Sequence, residues 1–462
     1  MRFIGRAEEL KRIQTFLNSD HTNLAVVYGR RRVGKSLLLK EALRSSGIRS
    51  VYMECRRTSE QNNVSLLAEL AGAAMGVPTL SADSFEALLE TLFSLGRYEP
   101  LVLVLDEYPF LRDLVKGADS ILQALVDRYK GSSQLKVILC GSYIDLMKGI
   151  LDYVNPLYGR AGLIIDLRPM DYYESAGFYS EFSDADKVRL YAVFGGMPYY
   201  NALIDPNKSV ADNIVDLLIA PGATLATEIE LFLTAEISKI NQANLVFDAM
   251  SAGKRKFAEI ACATQLPSST TADILGRLCK MSIVEKNSAI NQSDRANKSS
   301  YLISDNMILF YYRYVYRNLS KAGVMDSRMF FRMFIETDFE TAYVPRKFED
   351  IARQFLIRRN RAGLIDPPFY RIGRYAFDDP VTRKNGEFDV VTEDEAGYRF
   401  FEVKFIGRPL SESEIRLEIE QARSSPLKAE RFGFIARSGF ETTTDSPNQL
   451  RYTLADIYSP LE

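Results

Sequence analysis

The chain has 462 residues, 47% of them apolar and 26% charged, a globular balance that excludes long disordered or collagen-like structure. At about 100–200 residues per domain it predicts roughly three domains. Lys+Arg 58 against Asp+Glu 60 leaves a formal charge of -2, so the molecule is not a polybasic sleeve for nucleic acid and any such site is a local patch.

The charged start, Met1-Arg2-Phe3-Ile4-Gly5-Arg6-Ala7-Glu8-Glu9-Leu10, has no apolar signal core, and no apolar run approaches the roughly 18 residues that span a membrane. Cys55, Cys140, Cys262 and Cys279 are scattered without a C-x-x-C pair, against zinc ribbons and a disulfide framework. A reducing cytoplasm and no membrane partner are expected. The single histidine, His21, leaves no basis for a Ser-His-Asp triad or a His-rich metal site.

Residues 7–18 set Leu10, Ile13, Phe16 and Leu17 at helical spacing. A short buried strand, 24–28, leads through a Gly-rich turn into a helix at 35–44. A strand at 49–55, helices at 63–75 and 84–96, the doubly covered strand 101–105, a long helix at 110–129 and a strand at 136–140 follow. Strands alternating with helices predict an α/β fold with a parallel sheet and right-handed crossovers. Residues 167–240 read as mostly helical, broken by Gly195-Gly196-Met197-Pro198. Helices at 243–251, 256–263 and 268–280, then strands at 282–286 and 301–303, spell a winged helix-turn-helix, closed by an aromatic helix at 307–317. The last block has strands at 388–391, 398–404 and 431–436 and helices at 340–358 and 411–423. The polar stretches 287–300 and 441–449 read as loops. The predicted organisation is a parallel-sheet α/β core (1–166), a helical segment (167–240), a winged helix (241–320) and a carboxyl-terminal α/β domain (321–462).

Gly29-Arg30-Arg31-Arg32-Val33-Gly34-Lys35-Ser36 matches G-x-x-x-x-G-K-[ST] at every fixed position, between a strand and a helix. Its glycines let backbone N–H groups curl round phosphate oxygens, and the helix beginning at Lys35, Ser36 and Leu37 adds its positive end. Lys35 is expected on the β/γ-phosphates of ATP and Ser36 on Mg²⁺. Strand 101–105 ends in Asp106-Glu107, a Walker B pattern: Asp106 is expected to serve Mg²⁺ and Glu107 to activate the attacking water, which favours hydrolysis over storage. Ser142, after the next strand, is a candidate γ-phosphate sensor, and Arg160 a candidate arginine finger in cis or from a neighbouring subunit.

Phe3-Ile4-Gly5-Arg6…Glu9, the Gly-Arg-Arg-Arg-Val-Gly-Lys-Ser loop, Leu-Asp-Glu-Tyr, Gly-Ser, Leu-Tyr-Gly-Arg and Phe-Gly-Gly-Met-Pro-Tyr-Tyr occur in that order. The series resembles the archaeal-type P-loop ATPases, near the AAA+ and STAND classes, over about the first 320 residues. The resemblance implies that Ile4, Gly5 and Arg6 lie beside the adenine and that Gly196 and Pro198 belong to the lid over the nucleotide.

Between 241 and 300 the balance is mildly basic, with Lys254-Arg255-Lys256. In a DNA-reading module helix 268–280 would enter the major groove, with Ser268, Ser269, Thr270 and Thr271 suited to phosphate or base contacts. The alternative is a module that only relays nucleotide state.

In the last block Asp389 is followed, twelve intervening residues later, by Glu402-Val403-Lys404 on the next strand, a pattern that resembles the PD-(D/E)xK nuclease core. Alternation sets Glu402 and Lys404 on one face, and a hairpin brings Asp389 beside them. Two carboxylates and a lysine suit a hard cation, with Lys404 orienting or activating water. Helical Glu349 matches the further ligand many members of that fold add, Glu387 shares the face of Asp389, and Gln421 lies where such nucleases sometimes place a Gln. The proline of the pattern is replaced: Gly386-Glu387-Phe388 stands there. The expectation is an ATP-hydrolysing switch coupled to metal-dependent DNA binding or cleavage, acting with DNA and as a homo-oligomer or with a partner protein. The rival is a STAND-like regulatory ATPase whose carboxyl-terminal domain is an inactive DNA- or protein-binding platform. A kinase or GTPase is disfavoured, because the chain has no Asn-Lys-x-Asp box.

Overall fold

The structure, a computed structural model, describes all residues except 1–2, 21–22, 81, 237–239, 293–298, 380–383, 424–429, 443–448 and 462, and leaves out the side chains of 235–241 and 378–386. His21 lies outside the described residues, as do parts of the two polar stretches. The chain divides into two compact units: Met1–Met170 with Met197–Tyr199, and Asp171–Gly196 with Tyr200–Glu462.

In the first unit, strands β1 (Leu24–Tyr28), β2 (Arg49–Glu54), β3 (Leu101–Asp106), β4 (Leu135–Gly141) and β5 (Ala161–Asp166) form one sheet in the order β2-β3-β4-β1-β5. All four pairings are parallel. β1, β3 and β4 are buried along their whole length, as their unbroken apolar runs require. Leu103, Leu105, Val137 and Leu139 pack with Leu67, Leu88, Leu92 and Leu122 from the covering helices. The intrusion of Lys136 into β4 is resolved locally, its ammonium donating to the Ser19 carbonyl. The long helix expected at 110–129 is two, Tyr108–Leu114 and Ala118–Arg128, because Gly117 between them takes a left-handed φ of 79°. β5 escaped the sequence reading: it is an edge strand with one buried face and a glycine within it.

The second unit begins with helices capped by Asp171, Ser183 and Ser209, whose side chains accept amide hydrogens of their first turns. Helices Ile240–Ser251, Phe257–Thr264 and Ser268–Lys280 follow, then an antiparallel hairpin of β6 (Val284–Asn287) and β7 (Ser300–Ile303). A second sheet contains β8 (Arg371–Asp379), β9 (Lys384–Asp394), β10 (Gly397–Lys404), β11 (Arg431–Ala436) and β12 (Gln449–Thr453), in the order β12-β11-β10-β9-β8. β8, β9 and β10 pair antiparallel, and β10, β11 and β12 parallel, with helix Glu412–Arg423 on the crossover from β10 to β11. Ile415 and Ile419 of that helix pack on Phe400, Phe432 and Phe434. Gly433 is obligatory there: a Cβ would stand 2.2 Å from the Phe401 ring.

β8 and β12 were not expected from the sequence. Both are edge strands, where polar residues and half-burial blur the alternation. The described start of the 287–300 stretch is not a solvated loop. Ile290 is buried in the second sheet's core and donates its amide to the Arg374 carbonyl at 2.8 Å, while Asn291 both donates to and accepts from the Ala376 backbone. These contacts cover the free edge of β8. Among the described residues no single helix is long and apolar enough to cross a membrane. One bent pair, Val210–Ile219 with Thr224–Thr234, passes by length and composition, but its Ile214, Leu218, Leu225, Ile229 and Leu233 are core residues.

Candidate active site and a carboxyl-terminal carboxylate cluster

Parallel pairing aligns the ends of β1, β3 and β4, because Tyr28 stands opposite Gly141 and Leu105 opposite Leu139. The glycine loop therefore emerges beside Asp106, Glu107 and Ser142. Gly29 must be glycine, since a Cβ there would lie 2.3 Å from the Leu167 carbonyl oxygen. Gly34 has a φ of 95° and starts the helix Lys35–Ser46. The Lys35 ammonium is buried and donates to the Gly29 and Arg30 carbonyls at 2.9 and 3.0 Å. Burial draws its pKa below the ordinary lysine value, against the charges of Glu107 and Asp106.

Arg30 and Val33 are buried, Arg31 and Arg32 are exposed, and Leu37 is 53% exposed on the outer face of the helix. Arg6, at a φ of 62°, donates from its guanidinium to the Val33 carbonyl at 3.3 Å and the Arg168 carbonyl at 2.6 Å, so the Ile4-Gly5-Arg6 turn is tied to the loop. Pro198 packs 3.6 Å from where a Gly34 Cβ would stand, and the Arg32 guanidinium lies 4.1 Å from the centre of the Tyr199 ring. Gly196 groups with the second unit.

The Ser36 hydroxyl donates to Asp106 Oδ2 at 2.7 Å, and the Tyr52 hydroxyl donates to the same oxygen. Burial alone would raise the Asp106 pKa. Hydrogen bonds from Tyr52, Cys140, Ser36 and the Glu107 amide outweigh it and hold the carboxylate below its ordinary value. A hydroxyl and an ionised carboxylate side by side, next to a buried ammonium, are a donor set that fits Mg²⁺ carried on a triphosphate. When bound, Mg²⁺ supplies neutralisation of the phosphoryl oxygens.

Glu107 holds a left-handed φ of 52°, unusual for a side-chain-bearing residue, at the turn from β3 into the next helix. Tyr108 behind it is anchored by a 2.7 Å bond to Asp119, which also receives Asn155 and pairs with Arg112. Glu107 accepts from both the amide and the hydroxyl of Ser142, the amide at 3.2 Å. Ser142 thus touches the acid rather than standing alone as a sensor. Arg160 needs correction as a finger in cis. It precedes β5, whose first residue pairs with Leu24 at the edge of the sheet opposite the loop, about 16 Å away at 3.3 Å per residue. Its guanidinium is held by Asp127 at 2.8 Å and by the Pro156 carbonyl.

In the second unit, β9 and β10 pair as far as Phe401 opposite Val390, and Glu402 and Asp389 follow at the end of that pairing, close enough for the charge of Asp389 to act on Glu402. Lys404 lies 2.6 Å from Glu402 and 3.0 Å from Glu418, a residue of helix Glu412–Arg423 that the sequence reading passed over in favour of exposed Gln421. Only the i, i+3 geometry of that helix, once docked, shows which acid faces the lysine. Burial opposes the Lys404 charge, and the two glutamates outweigh it and raise its pKa. Asp389 stands at an accessible rim, yet surrounding atoms, then the charge of Glu387, raise its pKa. Glu387 itself pairs with Arg374 at 2.7 Å. Glu402 is raised by burial against the pull of Lys404. Glu349 is pushed up to about 8 by burial and by Asp389. Among the described residues, no three His, Cys, Asp or Glu side chains converge closely enough to form a metal cage.

The Glu349 shift has a measurable consequence. In the native protein this carboxyl holds its proton up to about pH 8, whereas the unfolded chain releases it near the ordinary 4.5. Between those values the unfolded state binds fewer protons, so this group makes stability fall as pH rises, levelling above 8. Glu349→Gln is expected to remove that slope: its thermal midpoint relative to the parent, followed by calorimetry, climbs between about pH 5 and pH 9. Parallel curves would show that Glu349 is ionised in the native state.

In the three-helix module, Ser268 and Ser269 are exposed and Thr270 half-buried. Thr271, expected to face a nucleic acid, is instead fully buried, and its hydroxyl donates to the Pro267 carbonyl at 3.2 Å. Lys254 and Lys256 are exposed.

A glycine loop between buried β1 and a helix, with an acid pair at the end of β3 two strands along the same parallel sheet, is the arrangement of a P-loop ATPase. Residues 3–204 match the ATPase domain predominantly from Archaea, and residues 311–416 match a family described as archaeal and bacterial proteins of unknown function. An uncharacterized protein of Methanocaldococcus jannaschii is 27% identical over 378 residues, 81% of each chain. An uncharacterized ATP-binding protein of the same organism is 40% identical over 53 residues, 12% of this chain and 90% of its own. Among solved structures, a Walker-type ATPase of Pyrococcus abyssi has a TM-score of 0.48 at 18% identity, over 67% of this chain and 96% of that one. The ORC2 protein of Aeropyrum pernix, in ADPNP–ADP complexes, has a TM-score of 0.48 at 12% identity, over 69% and 94%.

Proposed function

We propose that this ATPase is a nucleotide-driven switch whose second unit engages DNA, with a metal-dependent nuclease-like site as its effector. The observation that carries the switch is the meeting of Lys35, Ser36, Asp106 and Glu107 at the carboxyl-terminal ends of the strands: a cation for the phosphates, a Mg²⁺ seat and a base for water. In this reading Ser142 orients Glu107, Arg6 braces the loop beside the base, and Pro198 and Tyr199 cover the phosphates. Residues 241–320 act as a winged helix that meets phosphates through Ser268, Ser269, Lys254 and Lys256. The carboxyl-terminal sheet follows the order helix, three antiparallel strands, helix, parallel strand, which supports a restriction-endonuclease-like domain. There Asp389 and Glu402, with helical Glu349, would hold the metal and Lys404 would position water.

One observation favours a second reading, an inactive binding platform: Lys404 already neutralises Glu402 and Glu418, and no three-ligand cage is formed among the described residues. Supercoiled plasmid incubated with the full chain, ATP and Mg²⁺ or Mn²⁺ decides between them. Nicking that falls by about 100-fold or more in Lys404→Ala supports the nuclease reading. Intact plasmid, retarded in a gel while ATP is hydrolysed, supports the platform.

A further inference from the structure

The structure assigns Tyr52 a place in the ATPase reaction: we infer that it is a positioning residue that aims Asp106 at the metal of the bound nucleotide. The assignment rests on the ATPase reading and names a residue outside both nucleotide motifs. Tyr52 lies on β2, the sheet neighbour of β3, where it stands opposite Val104, two residues before Asp106. From there its hydroxyl reaches the Oδ2 atom that also receives Ser36. The opposite carboxylate oxygen, Oδ1, is taken by the Glu107 amide at 3.0 Å. The ring is fixed from the other side by the Lys40 ammonium, 5.0 Å from its centre, and Lys40 rides on the same helix that Ser36 begins.

The two hydroxyls on Oδ2 are not equivalent. Ser36 must turn toward a metal when the nucleotide arrives, which removes one donor from Asp106. Tyr52 has no such second task and would stay, so together with the Cys140 thiol it would keep the carboxylate oriented once Ser36 turns away. Groups that orient a metal's ligands are typically worth 10–100-fold in metal affinity.

Tyr52→Phe removes one oxygen and leaves the ring and its packing. ATP affinity is measured by calorimetric titration with excess Mg²⁺ and again with excess EDTA, for the parent, Tyr52→Phe, Asp106→Asn and the double variant. The expected result is a loss of about tenfold or more in the Mg²⁺-dependent tightening for Tyr52→Phe, with EDTA affinity unchanged. In the Asp106→Asn background the tyrosine change should then have no further effect, the signature of a residue acting through its partner. Full Mg²⁺ tightening in Tyr52→Phe would overturn the inference, as would equal losses with and without metal. If Tyr52→Phe binds no ATP under either condition, while Asp106→Asn still binds in EDTA, the tyrosine is structural and the inference also fails.

Discussion

Glu107→Gln is expected to leave the protein able to bind ATP and unable to turn it over. The exchange keeps the size of the side chain and retains an oxygen for the Ser142 amide, 3.2 Å away in the parent. It removes the basic lone pair that takes the proton from water as the oxygen attacks. Loss of a general base costs about 10²–10⁴ in rate, so steady-state hydrolysis should fall by that factor while the calorimetric ATP affinity stays at the parent value. Quenched protein should release ATP, not ADP. Turnover at the parent rate would mean that water is activated elsewhere and that the left-handed backbone at Glu107 serves only the turn.

Lys35→Ala should abolish nucleotide binding itself. The ammonium is buried and donates to the loop's own carbonyls of Gly29 and Arg30. In the proposed function those contacts preform the cradle and would be exchanged for phosphate oxygens on binding. Each hydrogen bond to a charged group is worth about 1.5–3 kcal/mol, so two lost contacts weaken binding by roughly 10²–10⁴. A thermal scan reads this without any turnover. At ATP concentrations about 100 times its dissociation constant, the parent gains about 2.7 kcal/mol, or roughly 5–10 °C for a unit of this size. The variant should keep at most about 0.4 kcal/mol of that gain, a shift of no more than about 1–2 °C. A shift equal to the parent's would place the triphosphate elsewhere.

Different parts of these sites were legible for different reasons. The glycine loop is contiguous, and its chemistry resides in the backbone it builds, so spacing alone exposed it. Asp106 and Glu107 were readable because an unbroken apolar run reads as a doubly covered interior strand, and the first acids after it mark where that strand leaves the core. The neighbourhood of Asp389 and Glu402 was readable from strand parity across a single hairpin. By contrast, Ser142 lies 35 residues from Glu107 and Tyr52 lies 54 from Asp106, and these pairs meet only because β4 and β2 both flank β3. Glu418 was hidden by the choice of helix face, and the place of Arg160, away from its own chain's glycine loop, was hidden because a loop arginine carries no sign of which end of the sheet it occupies.

What the amino-acid order by itself determined is the presence of a phosphate cradle, its acid partners and the alternation that makes a parallel sheet, since each is a local demand of backbone geometry or burial. Strand order, sheet polarity and helix docking decided the rest: which hydroxyl rests on Asp106, which glutamate meets Lys404, and that Ile290 covers β8 rather than water. Those choices minimise the free energy of the whole packed unit, and no short window of sequence contains the partners that are being compared.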